Sequence, residues 1–146
     1  MPTERLGLSA EAIAVREALT ALRAAWRGHG IDPALWDVAE QVLAEALNNV
    51  VEHAQAGRDG GAITVETSLQ EAALACEIRD DGAPMPGGGL PAGELAALGD
   101  ALPDLPEGGF GWFMIRTLAC DLSYRRMEGW NSLRFRIDPE PRRGGG

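Results

Sequence analysis

The first third of the chain carries apolar residues at helical spacing in two stretches. Across residues 9–28 the apolar positions are separated by steps of three and four, which predicts an amphipathic helix with Ser9 as its N-cap. A second stripe begins after Asp32-Pro33, a dipeptide typical of helix starts, and continues to about Ala54. The pattern therefore predicts two helices before residue 57.

Strict alternation of apolar and polar residues follows a glycine-rich turn at residues 57–61. It occurs in residues 63–69 and 74–78, and again in residues 122–124 and 133–137 around a turn at residues 128–131. Each pair predicts a β-hairpin with one buried face. The apolar run at residues 112–118 predicts a buried helix between the two hairpins. We expect a single domain over residues 1–138 and a disordered tail over residues 139–146.

A long segment, residues 81–109, is rich in glycine and proline and shows little periodicity apart from a short helical pattern near residues 94–98. Loops of this length are uncommon inside compact domains and tend to be lids or binding loops. The segment ends in Gly108-Gly109-Phe110-Gly111, which predicts a glycine turn leading into the helix that follows. This loop therefore calls for a functional explanation.

Composition and charge exclude several classes of function. The 146 residues contain 13 basic and 22 acidic side chains, a net charge of −9, and every basic residue is an arginine. Without lysine the chain has no Walker-type phosphate loop and no Schiff-base chemistry, and its acidity argues against direct binding to nucleic acid. Residues 1–111 carry a net charge of −12, whereas residues 112–146 carry +3. The positive part either serves an anionic ligand or partner, or consists of solvated arginines on exposed strands.

The chain shows no targeting or membrane signal. No apolar run approaches the length needed to span a bilayer, and the first eight residues lack an apolar signal core. We therefore expect a cytoplasmic protein. Cys76 and Cys120 lie in apolar stretches and outside any metal-binding spacing, which predicts two buried free thiols.

The second predicted helix carries three polar residues that are four positions apart. Glu45, Asn49 and His53 would lie along one face of the helix. They are either a solvated face, or a carboxylate that can accept a proton next to an amide oxygen that can bind Mg²⁺. His53 is open to a third interpretation, as a cap or core residue at the helix end.

Two further segments suggest binding chemistry, although each also fits an ordinary turn. Asp80-Asp81-Gly82 directly follows a predicted strand. The glycines at 108, 109 and 111 precede a helix, where backbone N–H groups and the positive helix end can bind an anion without lysine.

In this order the three segments resemble the ATP-binding superfamily of gyrase, the ninety-kilodalton heat-shock chaperones, histidine kinases and mismatch-repair proteins. The resemblance covers residues 9–137 and is strongest to the anti-sigma factor serine kinases, through residues 45–54 and 121–133. It implies the Bergerat fold, an α+β two-layer sandwich in which a mixed, mainly antiparallel sheet has helices packed on one face.

The resemblance also implies a role for each segment. Glu45 would be the catalytic carboxylate, Asn49 the Mg²⁺ ligand, and His53 would close the same nucleotide-binding box. Asp80 would accept a hydrogen bond from the adenine amino group, with Gly82 allowing the backbone to approach the base. The glycines at 108, 109 and 111 would bind the phosphates, and residues 84–108 would form an ATP lid.

The function implied by the resemblance is that of a cytoplasmic regulator that binds ATP and Mg²⁺. It would phosphorylate a serine of an antagonist protein and sequester a sigma factor, without binding nucleic acid or membrane itself, and such proteins often form homodimers. Two alternatives remain open. One is a non-catalytic, ATP-responsive binding module, which Glu107 favours because a carboxylate there would repel the γ-phosphate. The other is the catalytic domain of a split histidine kinase.

Overall fold

The computed structural model describes residues 2–54, 61–85 and 109–139. In chain order the elements are β1 (Thr3–Ser9), α1 (Ala12–Gly28), α2 (Pro33–Asn49) with a wider π-helical turn at Val50–Ala54, β2 (Ala62–Gln70), β3 (Ala73–Asp80), α3 (Gly109–Leu118), β4 (Cys120–Met127) and β5 (Trp130–Ile137).

The five strands form one sheet in the order β1-β2-β3-β5-β4, and every neighbouring pair is antiparallel. Alternate residues of the central strands are buried under the helices: α1 packs on β1, and α2 packs on β3 and β5. The α+β two-layer sandwich is therefore confirmed, and the described strands are antiparallel throughout.

A buried tryptophan joins the two layers. Trp26 of α1 is fully buried, and its Nε1 donates a hydrogen bond to Thr67 Oγ1 of β2 at 2.8 Å. The Thr67 hydroxyl in turn donates to the Glu4 carbonyl of β1 at 3.2 Å. This chain of bonds satisfies the only polar atom of the indole inside an apolar core.

The edge strand β1 was not predicted from the sequence, and the predicted start of α1 is wrong. Ser9 ends β1, where it pairs with Ala62, and the N-cap of α1 is Glu11, whose side chain makes no capping hydrogen bond. An edge strand buries one face only partly, so its alternation is weak, and Gly7 interrupts it.

The second helix begins as predicted, because the Asp32 side chain accepts a hydrogen bond from the Ala34 N–H at 3.0 Å. The third helix begins earlier than predicted. Gly109 and Gly111 belong to the first turn of α3 rather than to a turn before it. The helical pattern near residues 94–98, Gly108 and most of the predicted lid and tail lie outside the described residues.

The two cysteines differ in their surroundings. Cys76 is buried, and this burial raises the pKa of its thiol. Cys120 is only partly buried and lies 3.5 Å from Asp138 Oδ2, so the prediction of two buried thiols holds for Cys76 alone. Within the described ranges, no helix is long and apolar enough to cross a membrane.

Candidate functional site

Glu45 and Asn49 lie one turn apart on α2 and face the start of α3. A methyl group built on Gly111 would overlap the Glu45 carboxylate and would lie 4.0 Å from Asn49 Nδ2. The backbone of α3 therefore approaches both side chains at a distance that only glycine allows without displacing Glu45. Three of the residues singled out in the sequence are thus brought together.

The Asn49 amide is buried without a complete set of hydrogen bonds. The side chain is 9% exposed, and its Nδ2 has no hydrogen-bond partner among the described residues. An unsatisfied buried polar group costs about 1–3 kcal/mol, so such groups are usually explained by a bound ion, water or ligand. Rotation of the amide by half a turn would place its oxygen at the same position, and an amide oxygen is a suitable Mg²⁺ ligand.

The first turn of α3 offers hydrogen-bond donors beside Glu45 and Asn49. N–H groups in the first turn of a helix have no acceptor within the helix, and the helix dipole makes this end positive. Gly109 and Gly111 both lie in this turn. The arrangement can bind a phosphate through main-chain groups, without a lysine side chain.

Asp80 lies at the end of β3 and is 3% exposed. Its Oδ1 accepts hydrogen bonds from the Gly82 N–H at 2.8 Å and from Asn131 Nδ2 at 3.0 Å. These bonds fix the orientation of the carboxylate and turn the chain back directly after the strand. A buried, oriented carboxylate is a strong acceptor for an exocyclic amino group.

Asn131, at the start of β5, holds this turn from the neighbouring strand, and sequence reasoning did not single it out. Asp80 and Asn131 are register partners. Besides its bond to Asp80, Asn131 Nδ2 lies 2.8 Å from the Ala83 carbonyl. The available signal was a polar residue at a position of β5 that the alternating pattern assigns to the buried face.

Two residues of β4 complete the same network. The Tyr124 hydroxyl donates to Asn131 Oδ1 at 2.5 Å and accepts a hydrogen bond from the Met85 N–H at 3.0 Å. Arg126 Nη1 donates to the Gly82 carbonyl at 2.5 Å and to Asn131 Oδ1 at 3.2 Å. The β4–β5 hairpin therefore holds the backbone of residues 82–85, from which the predicted lid departs.

His53 is the predicted site residue that the structure does not bring into this cluster. The turn from Val50 to Ala54 is π-helical, which changes the angular spacing after Asn49. The His53 side chain is 60% exposed, and its Nε2 lies 3.9 Å from Glu52. The candidate site therefore has two parts. One is Glu45 and Asn49 with the start of α3, and the other is Asp80 with its hydrogen-bond partners. Helix α2 packs against α3, β3 and β5, the elements that carry these parts.

Some solved structures are similar to this chain. Among solved structures, 12 chains match. One is the histidine kinase domain from the Erythrobacter litoralis EL346 blue-light activated histidine kinase, with a TM-score of 0.47 and 20% identity over 70% of this chain and 44% of that chain. This chain thus spans less than half of that chain. A search of curated proteins finds no match.

A family model described as the histidine kinase-like ATPase domain matches residues 8–137. This match covers nearly the whole chain and includes every site residue discussed above. The protein therefore belongs to the histidine kinase-like ATPase domain family and is an ATP-binding domain.

Proposed function

We propose that this protein is an ATP- and Mg²⁺-dependent protein kinase that phosphorylates a serine or threonine of a partner protein. The observation that carries the proposal is the position of Glu45, whose carboxylate lies against Gly111 in the first turn of α3. A carboxylate beside a phosphate-binding helix end can accept a proton next to the γ-phosphate.

Each group of the site has a role in this reaction. Asp80 accepts a hydrogen bond from the adenine amino group, and the N–H groups of Gly109 and Gly111 hold the phosphates. The Asn49 amide oxygen would hold Mg²⁺, which neutralises charge on the triphosphate when it is bound. Most of the catalysis then comes from positioning the phosphate against its acceptor.

The transfer step uses Glu45 as the general base. The hydroxyl oxygen of the acceptor forms a bond to the γ-phosphorus, the bond from that phosphorus to the β,γ-bridging oxygen breaks, and ADP leaves. Glu45 takes the hydroxyl proton. A base favours a hydroxyl acceptor over histidine, because a neutral imidazole attacks through a lone pair without first losing a proton.

The regulatory part of the proposal is that the acceptor is an anti-sigma antagonist and that the protein sequesters a sigma factor. It is supported by the resemblance of residues 45–54 and 121–133 to the anti-sigma factor serine kinases. We further propose that the protein acts in the cytoplasm.

The experiment is a transfer assay with γ-labelled ATP, Mg²⁺ and the antagonist-type protein encoded nearest to this one. We expect an acid-stable phosphoester on serine or threonine of that protein. Glu45→Gln should lower the rate of transfer by about 10²–10⁴-fold and leave the affinity for ATP within a few fold of wild type. Glu52→Gln is the matched control, since Glu52 is an exposed carboxylate of the following turn.

The other outcomes would overturn the proposal in different ways. An acid-labile phosphoramidate would show a histidine acceptor, as in a split histidine kinase. Normal ATP binding without any transfer would show a non-catalytic, ATP-responsive module. Equal loss of binding and transfer in Glu45→Gln would show that Glu45 is structural.

A further inference from the structure

The face of the sheet opposite the helices carries an exposed apolar pair at the β4–β5 hairpin. Among the described residues, the exposed large apolar side chains are Ile13, Met127 and Trp130. Met127 and Trp130 are register partners across the β4–β5 hairpin, 54% and 37% exposed. Two of these side chains are therefore adjacent on the molecular surface.

Two arginines lie against this pair. The Arg79 guanidinium is 5.8 Å from the centroid of the Trp130 ring, and Arg125 Nη1 is 3.9 Å from Met127 Sδ. Both arginines are register partners of Ser132, so they lie on either side of β5. We call Arg79, Arg125, Met127 and Trp130 the Trp130 patch.

The guanidinium groups of this patch are not held by carboxylates of the described residues, although the negative charge of Glu77 acts on Arg79. Within the described part of the chain, no carboxylate accepts a hydrogen bond from Arg79 or Arg125. The nearby Glu77 carboxylate accepts hydrogen bonds from Ser132 and from Arg134, at 2.7 and 3.1 Å. Burial alone would raise the pKa of Glu77, but these bonds and the positive charges of Arg134 and Arg79 outweigh burial and lower it, so Glu77 stays ionised and engaged.

The composition of the patch is that of a binding surface. Tryptophan, methionine and arginine are enriched at protein interfaces, and tryptophan and arginine are enriched among the residues that contribute most of the binding energy. Guanidinium groups held on an aromatic ring and a thioether remain free to bind carboxylates in a bidentate manner. The chain as a whole carries a net charge of −9, which repels nucleic acid and anionic membranes because their charge extends beyond the patch, whereas a short acidic segment lies beside the two arginines only.

We infer that the Trp130 patch docks an acidic segment of a partner protein, with its carboxylates on Arg79 and Arg125 and an apolar side chain on Trp130 and Met127. This surface lies on the far side of the sheet from Glu45 and Asn49. The inference therefore does not depend on the proposed kinase activity.

The test is an NMR titration of ¹⁵N-labelled protein with a synthetic peptide, Glu-Glu-Leu-Leu-Glu-Glu. The chain has four tryptophans, and Trp26, Trp36 and Trp112 are buried. We expect the indole N–H signal of Trp130 to shift with peptide while those of the buried tryptophans do not. The double variant Arg79→Glu, Arg125→Glu should weaken binding by about tenfold or more.

Arg16→Glu is the control, because Arg16 is an exposed arginine of α1 in the other layer. It should bind the peptide like wild type. The melting curve of each variant confirms that the variant is folded. Trp130→Ala should also lose binding. The inference is overturned if the Trp130 signal does not respond or if the double variant binds normally. It is equally overturned if a duplex oligonucleotide binds the patch more tightly, or if sedimentation shows that the patch pairs two copies of this chain.

Discussion

Gly111 shows how one residue determines the geometry of the site. Helices disfavour glycine, yet this position of α3 lies so close to Glu45 that a side chain would displace the carboxylate. Helix propensity alone would favour alanine over Gly111 at this position. The close approach to Glu45 favours glycine instead.

We expect Gly111→Ala to weaken ATP binding by about tenfold or more, because the new methyl group occupies space beside the first-turn N–H groups that hold the phosphates and displaces the Glu45 carboxylate. Titration calorimetry measures the change. Gly28→Ala is the control, since a methyl group on Gly28 meets nothing within 4 Å. Equal affinities of wild type and Gly111→Ala would show that this contact plays no part in binding.

Asn131 determines the second half of the site. It is 5% exposed and connects Asp80 with the Ala83 backbone and with Tyr124. Asn131→Ala leaves the buried Asp80 carboxylate with one donor fewer, so we expect a loss of about 1–3 kcal/mol of unfolding free energy and weaker ATP binding. Asn48→Ala, an exposed change on α2, should do neither. Urea unfolding and calorimetry together check both expectations.

The sequence predicted Glu45, Asn49, Asp80 and Gly111 because each belongs to a short segment whose local spacing suggests its chemistry. Asn131, Tyr124 and Arg126 are different. Asn131 contacts Asp80 across 51 positions of sequence, through a strand pairing that no local pattern specifies. Such contacts are visible only once the register of β3 and β5 is known.

At the scale of elements, segments with a clear period were predicted, β4 among them, whereas the edge strand β1 and the first turn of α3 were not. The stripe of α2 and the alternation of β2, β3 and β5 identify those elements, since each buries a complete face. The strand β1 lies at the sheet edge, and the start of α3 was obscured by glycines that usually end helices.

The two hairpins offer a matched test of turn chemistry. Glu71-Ala72 connects β2 to β3, and Glu128-Gly129 connects β4 to β5. All four turn residues have positive φ, 53° and 90° in the first turn and 49° and 86° in the second. These values are typical of type I′ turns, which favour glycine at the second position. The first hairpin has alanine there.

We expect Ala72→Gly to stabilise the protein by about 1 kcal/mol and Gly129→Ala to destabilise it by a similar amount, because alanine is strained at positive φ. Thermal unfolding of both variants measures the difference. A lower melting temperature for Ala72→Gly would contradict the turn geometry.

At the scale of the whole molecule, the two faces of the sheet separate two kinds of surface. Asp80 and Asn131 face the helices, whereas their chain neighbours Arg79 and Trp130 face outward. Among the arginines of the positive C-terminal part, Arg126 belongs to the hydrogen-bond network around Asn131 and Arg125 to the Trp130 patch, whereas Arg134 and Arg136 pair with carboxylates. The domain limits, the lid over residues 84–108 and a homodimer stay predictions.

The central claim is that Asp80, Glu45, Asn49 and the start of α3 form one ATP site. Calorimetric titration of wild type and Asp80→Asn with ATP and Mg²⁺ tests it most directly. The variant should fold, because the amide oxygen can still accept from the Gly82 N–H. We expect wild type to bind and Asp80→Asn to lose about tenfold or more in affinity, since its amide can present a donor to the adenine amino group. Equal affinities, or no binding by wild type, would contradict the account.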